Sequence, residues 1–141
     1  MRLLALFATL LALSGCDANG SFYAPARYEA VAFTEPSQMD GGVDVLANGG
    51  SLSIDLAGDK TYTGSRTVPE GILAHSPGTD IALSGTWDFT ETGRLAFTAD
   101  EGTPPALYWT DEARVIRAGE RLETEDQPGH GATFKIVLER R

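Results

Sequence analysis

Alternation of apolar and polar side chains with a period of two is the feature of this sequence that most constrains its fold. In the longest example, residues 81–89, every second residue is apolar or glycine, ending in Trp87 and Phe89. Residues 52–56 and 134–138 repeat the pattern over shorter runs. Successive side chains of a β-strand point to opposite faces, so these runs predict strands that bury one face.

Glycine-bearing turns separate the alternating runs and keep them short. Such turns are predicted at residues 57–60, 91–93, 118–119 and 127–131, and Pro69 ends the run that starts at Thr61. Tight turns of this kind join antiparallel neighbours. No segment shows a convincing helical period of apolar residues, so the sequence predicts an all-β fold.

About eight strands follow from these runs and turns. They are predicted at residues 27–33, 52–56, 61–68, 81–89, 95–99, 107–116, 121–125 and 134–138. An antiparallel up-and-down barrel is the simplest arrangement, because closure removes the exposed strand edges of an open sheet. A two-sheet β-sandwich is the alternative. A barrel embedded in the outer membrane is disfavoured, because the second face carries Ser, Thr, Asp, Lys and Glu.

The first fifteen residues differ in character from the rest of the chain. Arg2 is followed by an almost unbroken apolar run and then by Ser14 and Gly15, immediately before Cys16. This order is typical of a secretory signal peptide, and the run is too short for a membrane-spanning helix.

Leu13-Ser14-Gly15-Cys16 resembles the lipobox of bacterial lipoproteins. The resemblance implies that the Cys16 thiol receives a diacylglyceryl group and that the chain is cut before Cys16. Two or more acyl chains make membrane anchoring stable. Cys16 is the only cysteine, so no disulfide within the chain competes for it. An ordinary signal peptide followed by a chance cysteine is the alternative.

This resemblance predicts the organisation and the location of the protein. Residues 1–15 form the lipoprotein signal peptide, residues 16–22 a lipidated tether and residues 23–141 a single β-barrel domain. The tether is small and polar, which favours flexibility. The expected location is the bacterial cell envelope, on the inner or outer membrane, with the domain facing the periplasm or the exterior.

Gly85-Thr86-Trp87 forms a Gly-x-Trp motif which, together with the strand count, resembles the lipocalin-like barrels. Lipocalins carry this motif on their first strand, whereas here it lies on a central one, so the resemblance implies architecture alone. The layout after Gly49 is similar to that of uncharacterised bacterial lipoproteins with one small β-domain, a resemblance that implies no particular activity.

Acidic residues outnumber basic ones by 20 to 11, and the net charge is -9. Cleavage before Cys16 would remove Arg2 and leave ten basic residues against 20 acidic ones, a net charge of -10. This balance disfavours nucleic acid or an anionic lipid surface as a partner. The predicted membrane contact is therefore the lipid on Cys16.

No motif in the sequence indicates catalysis, a metal site or a cofactor. His75 and His130 lie outside any metal-ligand spacing, and no Gly-x-Ser-x-Gly element is present. The acidic segment at residues 120–126 is interpreted as a solvated turn, with a weak hard-cation site as the alternative. The sequence therefore predicts a protein that is not an enzyme; an active site would require His75 or His130 beside carboxylates at a barrel mouth.

Aromatic residues on the predicted strands are the candidate ligand-binding residues: Tyr62, Trp87, Phe97 and Trp109. On the apolar face they either fill the barrel or line a pocket, and eight strands allow both. The leading hypothesis is an anchored binding module for a small apolar ligand or for another envelope protein. The alternative is a structural or assembly lipoprotein with a filled core and no ligand.

Overall fold

The computed structural model describes residues 24–37, 41–72, 78–107, 110–129 and 132–141. The predictions for Cys16, His75, Trp109 and His130 therefore fall outside the described residues. Within these ranges, no helix has the length and apolar character needed to cross a membrane.

Ten β-strands make up most of the described chain. They are β1 (Ala26–Ser37), β2 (Gly41–Asp44), β3 (Ser51–Leu56), β4 (Thr61–Val68), β5 (Thr79–Phe89), β6 (Leu95–Ala99), β7 (Glu112–Ile116), β8 (Arg121–Glu123), β9 (Gln127–Gly129) and β10 (Ala132–Arg140). A single 3-10 turn, Arg117–Gly119, connects β7 to β8.

The strands form a closed antiparallel ring. Its order is β1-β3-β4-β5-β6-β7-β8-β10, and β10 pairs back onto β1 between Tyr28↔Arg140 and Thr34↔Lys135. The short strands β2 and β9 extend the pairing along the end of β1 and the start of β10. The predicted eight-stranded barrel is confirmed, and the closed ring excludes the two-sheet sandwich.

The main differences from the predicted strands are two additional short strands, β2 and β9, and a shorter β7. The segment of β2 contains adjacent glycines and had no alternating pattern, and β9 was predicted as part of a turn. Both are strands because β1 and β10 offer backbone partners beside them. Strand β7 begins at Glu112 rather than at residue 107, and the Glu112 amide donates to the Thr110 hydroxyl, 3.2 Å away, in a local turn.

Because neighbouring strands are antiparallel, successive connections lie at opposite ends of the barrel. The proximal end, where the chain enters at Ala24, holds the turns at residues 57–60, 90–94 and 117–120 and the last residue, Arg141. The distal end holds the connection at residues 45–50 and the start of the segment that follows β6.

Inward-facing side chains of the ring strands form one continuous core. The predicted inward face of β3, Leu52, Ile54 and Leu56, is confirmed, since none of the three is more than 2% exposed. The largest fully buried side chains come from every part of the ring: Tyr28, Phe33, Leu52, Ile54, Leu56, Tyr62, Leu83, Leu95, Leu107, Leu122, Ile136 and Leu138.

Candidate functional site

Three of the four candidate ligand-binding residues lie inside the barrel and pack into its core. Tyr62, Trp87 and Phe97 are 1%, 6% and 2% exposed. The rings of Tyr62 and Phe97 meet edge to face, with centroids 5.3 Å apart and planes at 88°. Trp109 lies outside the described residues. Tyr62, Trp87 and Phe97 are therefore part of the hydrophobic core.

Gly85 allows the Tyr62 ring to occupy its place. The two residues are register partners on β5 and β4. A Cβ atom at position 85 would lie 2.8 Å from Tyr62 Cε1 and 2.0 Å from the backbone oxygen of Thr98, far inside contact distance. The glycine of the Gly-x-Trp motif thus makes room for an aromatic ring in this part of the core.

Trp87 closes the proximal end of the core. Its Nε1 atom donates a hydrogen bond to the backbone oxygen of Ala57, 3.1 Å away, in the turn between β3 and β4. Its ring also meets that of Phe89 edge to face at 6.1 Å. A buried indole needs a hydrogen-bond acceptor, and here the turn supplies one. Trp87 therefore stabilises the position of this turn against the core through the hydrogen bond to Ala57.

Two charged residues, Glu35 and Arg66, are buried inside the barrel towards its distal end. Glu35 is 0% exposed and Arg66 is 3% exposed. Burial raises the pKa of the Glu35 carboxyl, and the positive charge of Arg66 opposes this rise. Arg66 Nη1 donates to the backbone oxygen of Pro105, 3.4 Å away. The strand alternation contained this signal, since Glu35 follows Phe33 on the same face of β1.

The Glu35 carboxyl makes no hydrogen bond within the described part of the chain. Neither of its oxygen atoms has a partner among the described residues, and the same holds for the buried Tyr62 hydroxyl. Burial raises the pKa of Tyr62, with further contributions from the carboxylates of Asp100 and Asp111. A buried polar atom without a partner costs about 1–3 kcal/mol. A polar ligand atom that made a hydrogen bond to either group would remove this cost.

A depression of about 400 Å³ at the proximal end is lined entirely by charged residues. They are Arg117, Glu120, Arg121, Glu139, Arg140 and Arg141. A second depression of about 370 Å³ shares Arg140 and Arg141 and adds Arg27. We call the first of these the arginine depression. Nothing in the linear spacing of its residues predicted it, because Arg140 and Arg141 are distant in the chain from Arg117 and Arg121 and come beside them only when β10 pairs with β8.

Several arginines at this end already have carboxylate partners. Arg141 contacts Glu29 at 2.8 Å, and Arg121 contacts Glu123 at 2.6 Å. Arg27 contacts both Glu29 and Asp55 at 3.3 Å. Hydrogen bonds from Arg141 and Arg27 lower the pKa of Glu29.

Arg117 and Arg140 differ from their neighbours. Neither has a carboxylate within 4.0 Å in the described part of the chain, and Arg140 Nη2 instead donates to the backbone oxygen of Pro25 at 3.4 Å. These two guanidinium groups are the ones that an added anion would contact with least competition.

A left-handed turn places Arg117 at the arginine depression. Arg117, Ala118 and Gly119 have φ values of 51°, 53° and 93°. This conformation is unfavourable for the two residues with a Cβ atom, by about 1–2 kcal/mol each. The Tyr28 hydroxyl donates from the barrel interior to the backbone oxygen of Gly119 and so holds the turn. Burial raises the pKa of Tyr28, which keeps this donor protonated.

The predicted acidic segment does not converge on one point. Glu125 pairs with Arg94, which lowers the pKa of Glu125, whereas Asp126 pairs with Lys135 at 3.3 Å. Glu123 also contacts Lys135, at 3.7 Å. Among the described residues, no group of three or more His, Cys, Asp or Glu side chains could hold a metal ion.

Comparisons with protein-family models, with curated proteins and with solved structures found no match to this chain.

Proposed function

We propose that this protein is a lipid-anchored binding module of the bacterial cell envelope that contacts its partner through the outer surface of a filled barrel. The observation that supports surface binding is the packed interior. Tyr62 and Phe97, two of the candidate ligand-binding residues, contact one another, and Gly85 makes room for the Tyr62 ring. The lipobox residues support the anchor.

The position of the chain entry fits an anchored domain. Ala24 begins the described chain at the proximal end, eight residues after Cys16. An extended chain reaches about 3.5 Å per residue, so eight residues allow at most about 30 Å between the lipid and the barrel. The proximal end would therefore remain close to the membrane, and the wall and distal end would be open to a partner.

Metabolic labelling tests the anchor. Cells producing the full chain receive an alkyne-bearing fatty acid, and the purified protein is assayed for the label. We expect labelling of the parent chain and none of the Cys16→Ser variant, which should also move from the membrane to the soluble fraction. Equal labelling of both chains, or none of either, would refute lipidation at Cys16.

Site-specific photo-cross-linking in cells tests surface binding. Val31 is the large apolar side chain with the greatest exposure on the described wall, at 41%, and it lies at the bulge of β1. A cross-linker there should give one defined adduct, whereas one at Leu122 inside the core should give none. A lone monomer from every wall position would contradict a protein partner.

A small ligand inside the barrel is the second candidate function. The observation that favours it is the pair of buried polar groups without partners, the Glu35 carboxyl and the Tyr62 hydroxyl. Such a ligand would be mostly apolar and would carry a hydrogen-bond donor for Glu35. Native mass spectrometry of the Cys16→Ser chain, isolated gently from cells, would reveal it as a bound mass that is reduced in a Glu35→Gln variant. Only the unliganded mass in both chains would exclude it.

A further inference from the structure

We infer that the arginine depression binds the phosphate group of an anionic phospholipid and so seats the proximal end of the barrel on the membrane. This inference rests on the proposed lipid anchor, which brings this end of the barrel to a bilayer. It goes beyond the anchor because it assigns a headgroup site to the folded domain itself.

Charge is distributed unevenly between the two ends. Eleven basic residues less Arg2 leave ten after the proposed cleavage, and five of these ten line the two proximal depressions. They are Arg27, Arg117, Arg121, Arg140 and Arg141. The described distal end carries instead a set of carboxylates: Asp44, Glu70, Asp80, Asp100, Glu101 and Asp111. Lys135, which lies at the level of Asp44, is paired with Asp126.

The net charge of the chain is therefore a poor guide to its proximal end. Strand β5 has 11 residues, which corresponds to about 36 Å of extended strand. The Debye length in physiological salt is about 8 Å, so carboxylates at the distal end are screened from a surface that touches the proximal end. The local balance in the arginine depression is four arginines against two glutamates. The inference therefore departs from the expectation, drawn from net charge, that an anionic lipid surface is disfavoured.

The geometry of the depression suits a phosphate group. Arg117 and Arg140 line it without a carboxylate within 4.0 Å in the described chain. A planar guanidinium can donate two parallel hydrogen bonds to a phosphate. The Arg117 backbone is also held in a left-handed turn by the Tyr28 hydroxyl, so this part of the site is formed before an anion arrives.

Location decides between possible sources of the phosphate group. The chain enters the barrel at Ala24, and Pro25 and Ala26 line the depression next to the arginine depression. A lipid attached at Cys16 would hold this surface within reach of lipid headgroups at high local concentration. We therefore assign the site to a phospholipid headgroup rather than to free phosphate.

Vesicle co-sedimentation of the mature chain carrying Cys16→Ser tests the site without the acyl anchor. The vesicles contain phosphatidylcholine alone, or phosphatidylcholine with about one third phosphatidylglycerol, in buffer of about 0.15 M ionic strength. The test variant is Arg117→Gln with Arg140→Gln. The control is Arg114→Gln with Lys135→Gln, which makes the same charge change on the barrel wall. Circular dichroism establishes that all chains are folded.

We expect the parent chain to prefer the phosphatidylglycerol vesicles despite its net negative charge. Each basic residue near an anionic membrane contributes about fivefold to partitioning, so the test variant should lose about thirtyfold. The control should stay within about twofold of the parent, because its residues lie away from the membrane.

Three results would overturn the inference. The first is equal binding of the parent chain to both vesicle types, and the second is an equal loss in the two variants. The third is release of bound protein by inorganic phosphate but not by chloride of the same ionic strength, which would assign the depression to free phosphate. Because no acyl chain is present, these results are independent of the labelling test, which alone decides whether Cys16 is lipidated.

Discussion

Replacing Gly85 with alanine tests whether the barrel is as tightly filled as its buried side chains indicate. The added Cβ atom would lie 2.0 Å from the backbone oxygen of Thr98 and 2.8 Å from Cε1 of Tyr62. Ordinary contacts of a Cβ atom lie between 3.4 and 4 Å. The nearest atom belongs to the backbone of β6, so a side-chain rotation alone cannot relieve the overlap.

The expected cost follows from overpacking of a tight core. Inserting one methyl group into such a core costs about 1–3 kcal/mol, and displacement of backbone places this variant at the upper end, about 3 kcal/mol. A domain of this size loses about 4 °C in its melting temperature per kcal/mol, so Gly85→Ala should melt about 12 °C below the parent.

Thermal and urea unfolding of the Cys16→Ser chain, with and without Gly85→Ala, measure this loss. Gly58→Ala is the matched control, because its Cβ atom would lie 3.7 Å from the nearest atom, the backbone oxygen of Ala24. We expect the control to change stability by less than about 0.5 kcal/mol. A Gly85→Ala chain as stable as this control would show that the interior can accommodate an added methyl group. That result would contradict the proposal of a filled barrel.

Three further variants test single contacts. Tyr28→Phe leaves the Gly119 oxygen without its buried donor, so unfolding should become easier by about 1–2 kcal/mol, and vesicle binding should weaken as the turn at Arg117 relaxes; unchanged urea midpoints would contradict this role. Trp87→Phe removes the hydrogen bond to Ala57 and should cost about 1–2 kcal/mol by thermal unfolding, and a neutral result would argue against fastening of the turn. Burial raises the folded-state pKa of Glu35 above its ordinary value of 4.5, so its stabilising effect is complete below pH 4.5 and is lost as pH rises through the folded-state pKa. The parent should therefore lose stability relative to Glu35→Gln as pH increases, and a melting-temperature difference that is constant with pH would disprove the shift.

Much of the fold could be predicted from local patterns. The alternation in residues 81–89 and 52–56 placed Leu83, Trp87 and Ile54 on the buried face, and the structure confirms each of them. This succeeded because a strand with one buried face must repeat every two residues, whatever its partners are.

The strand ends and the two short strands were less predictable. Strands β2 and β9 have no alternating pattern of their own, and Pro128 in β9 lacks a backbone donor. They are strands because β1 and β10 lie beside them, so the information for them resides in the pairing. Glu35 continues the alternation from Phe33, but the predicted strand ended at Phe33, and the structure extends β1 to Ser37.

The candidate site was likewise predicted only in part from the sequence. Trp87 and Phe97 were correctly placed on the inward face and Tyr62 on a strand, but the sequence could not decide between packing and ligand binding, because that depends on Gly85, Thr98 and the facing strands. The arginine depression was not predicted, since Arg117 in the 3-10 turn and Arg121 on β8 are distant in the chain from Arg140 and meet it only through the pairing of β8 with β10.

By itself, the sequence determined the all-β class and the inward faces of strands such as β3 and β5, because these depend on the periodicity of single segments. The pairing of β1 with β10 decided between the barrel and the sandwich. It also gave the lipobox pattern, which is read from consecutive residues. Tertiary structure alone decided that Tyr62, Trp87 and Phe97 are buried in the core, that Glu35 lies without hydrogen-bond donors from the described residues, and that arginines gather where the chain enters. Those properties arise from contacts between residues that are distant in the chain, and only the pairing of strands brings them together.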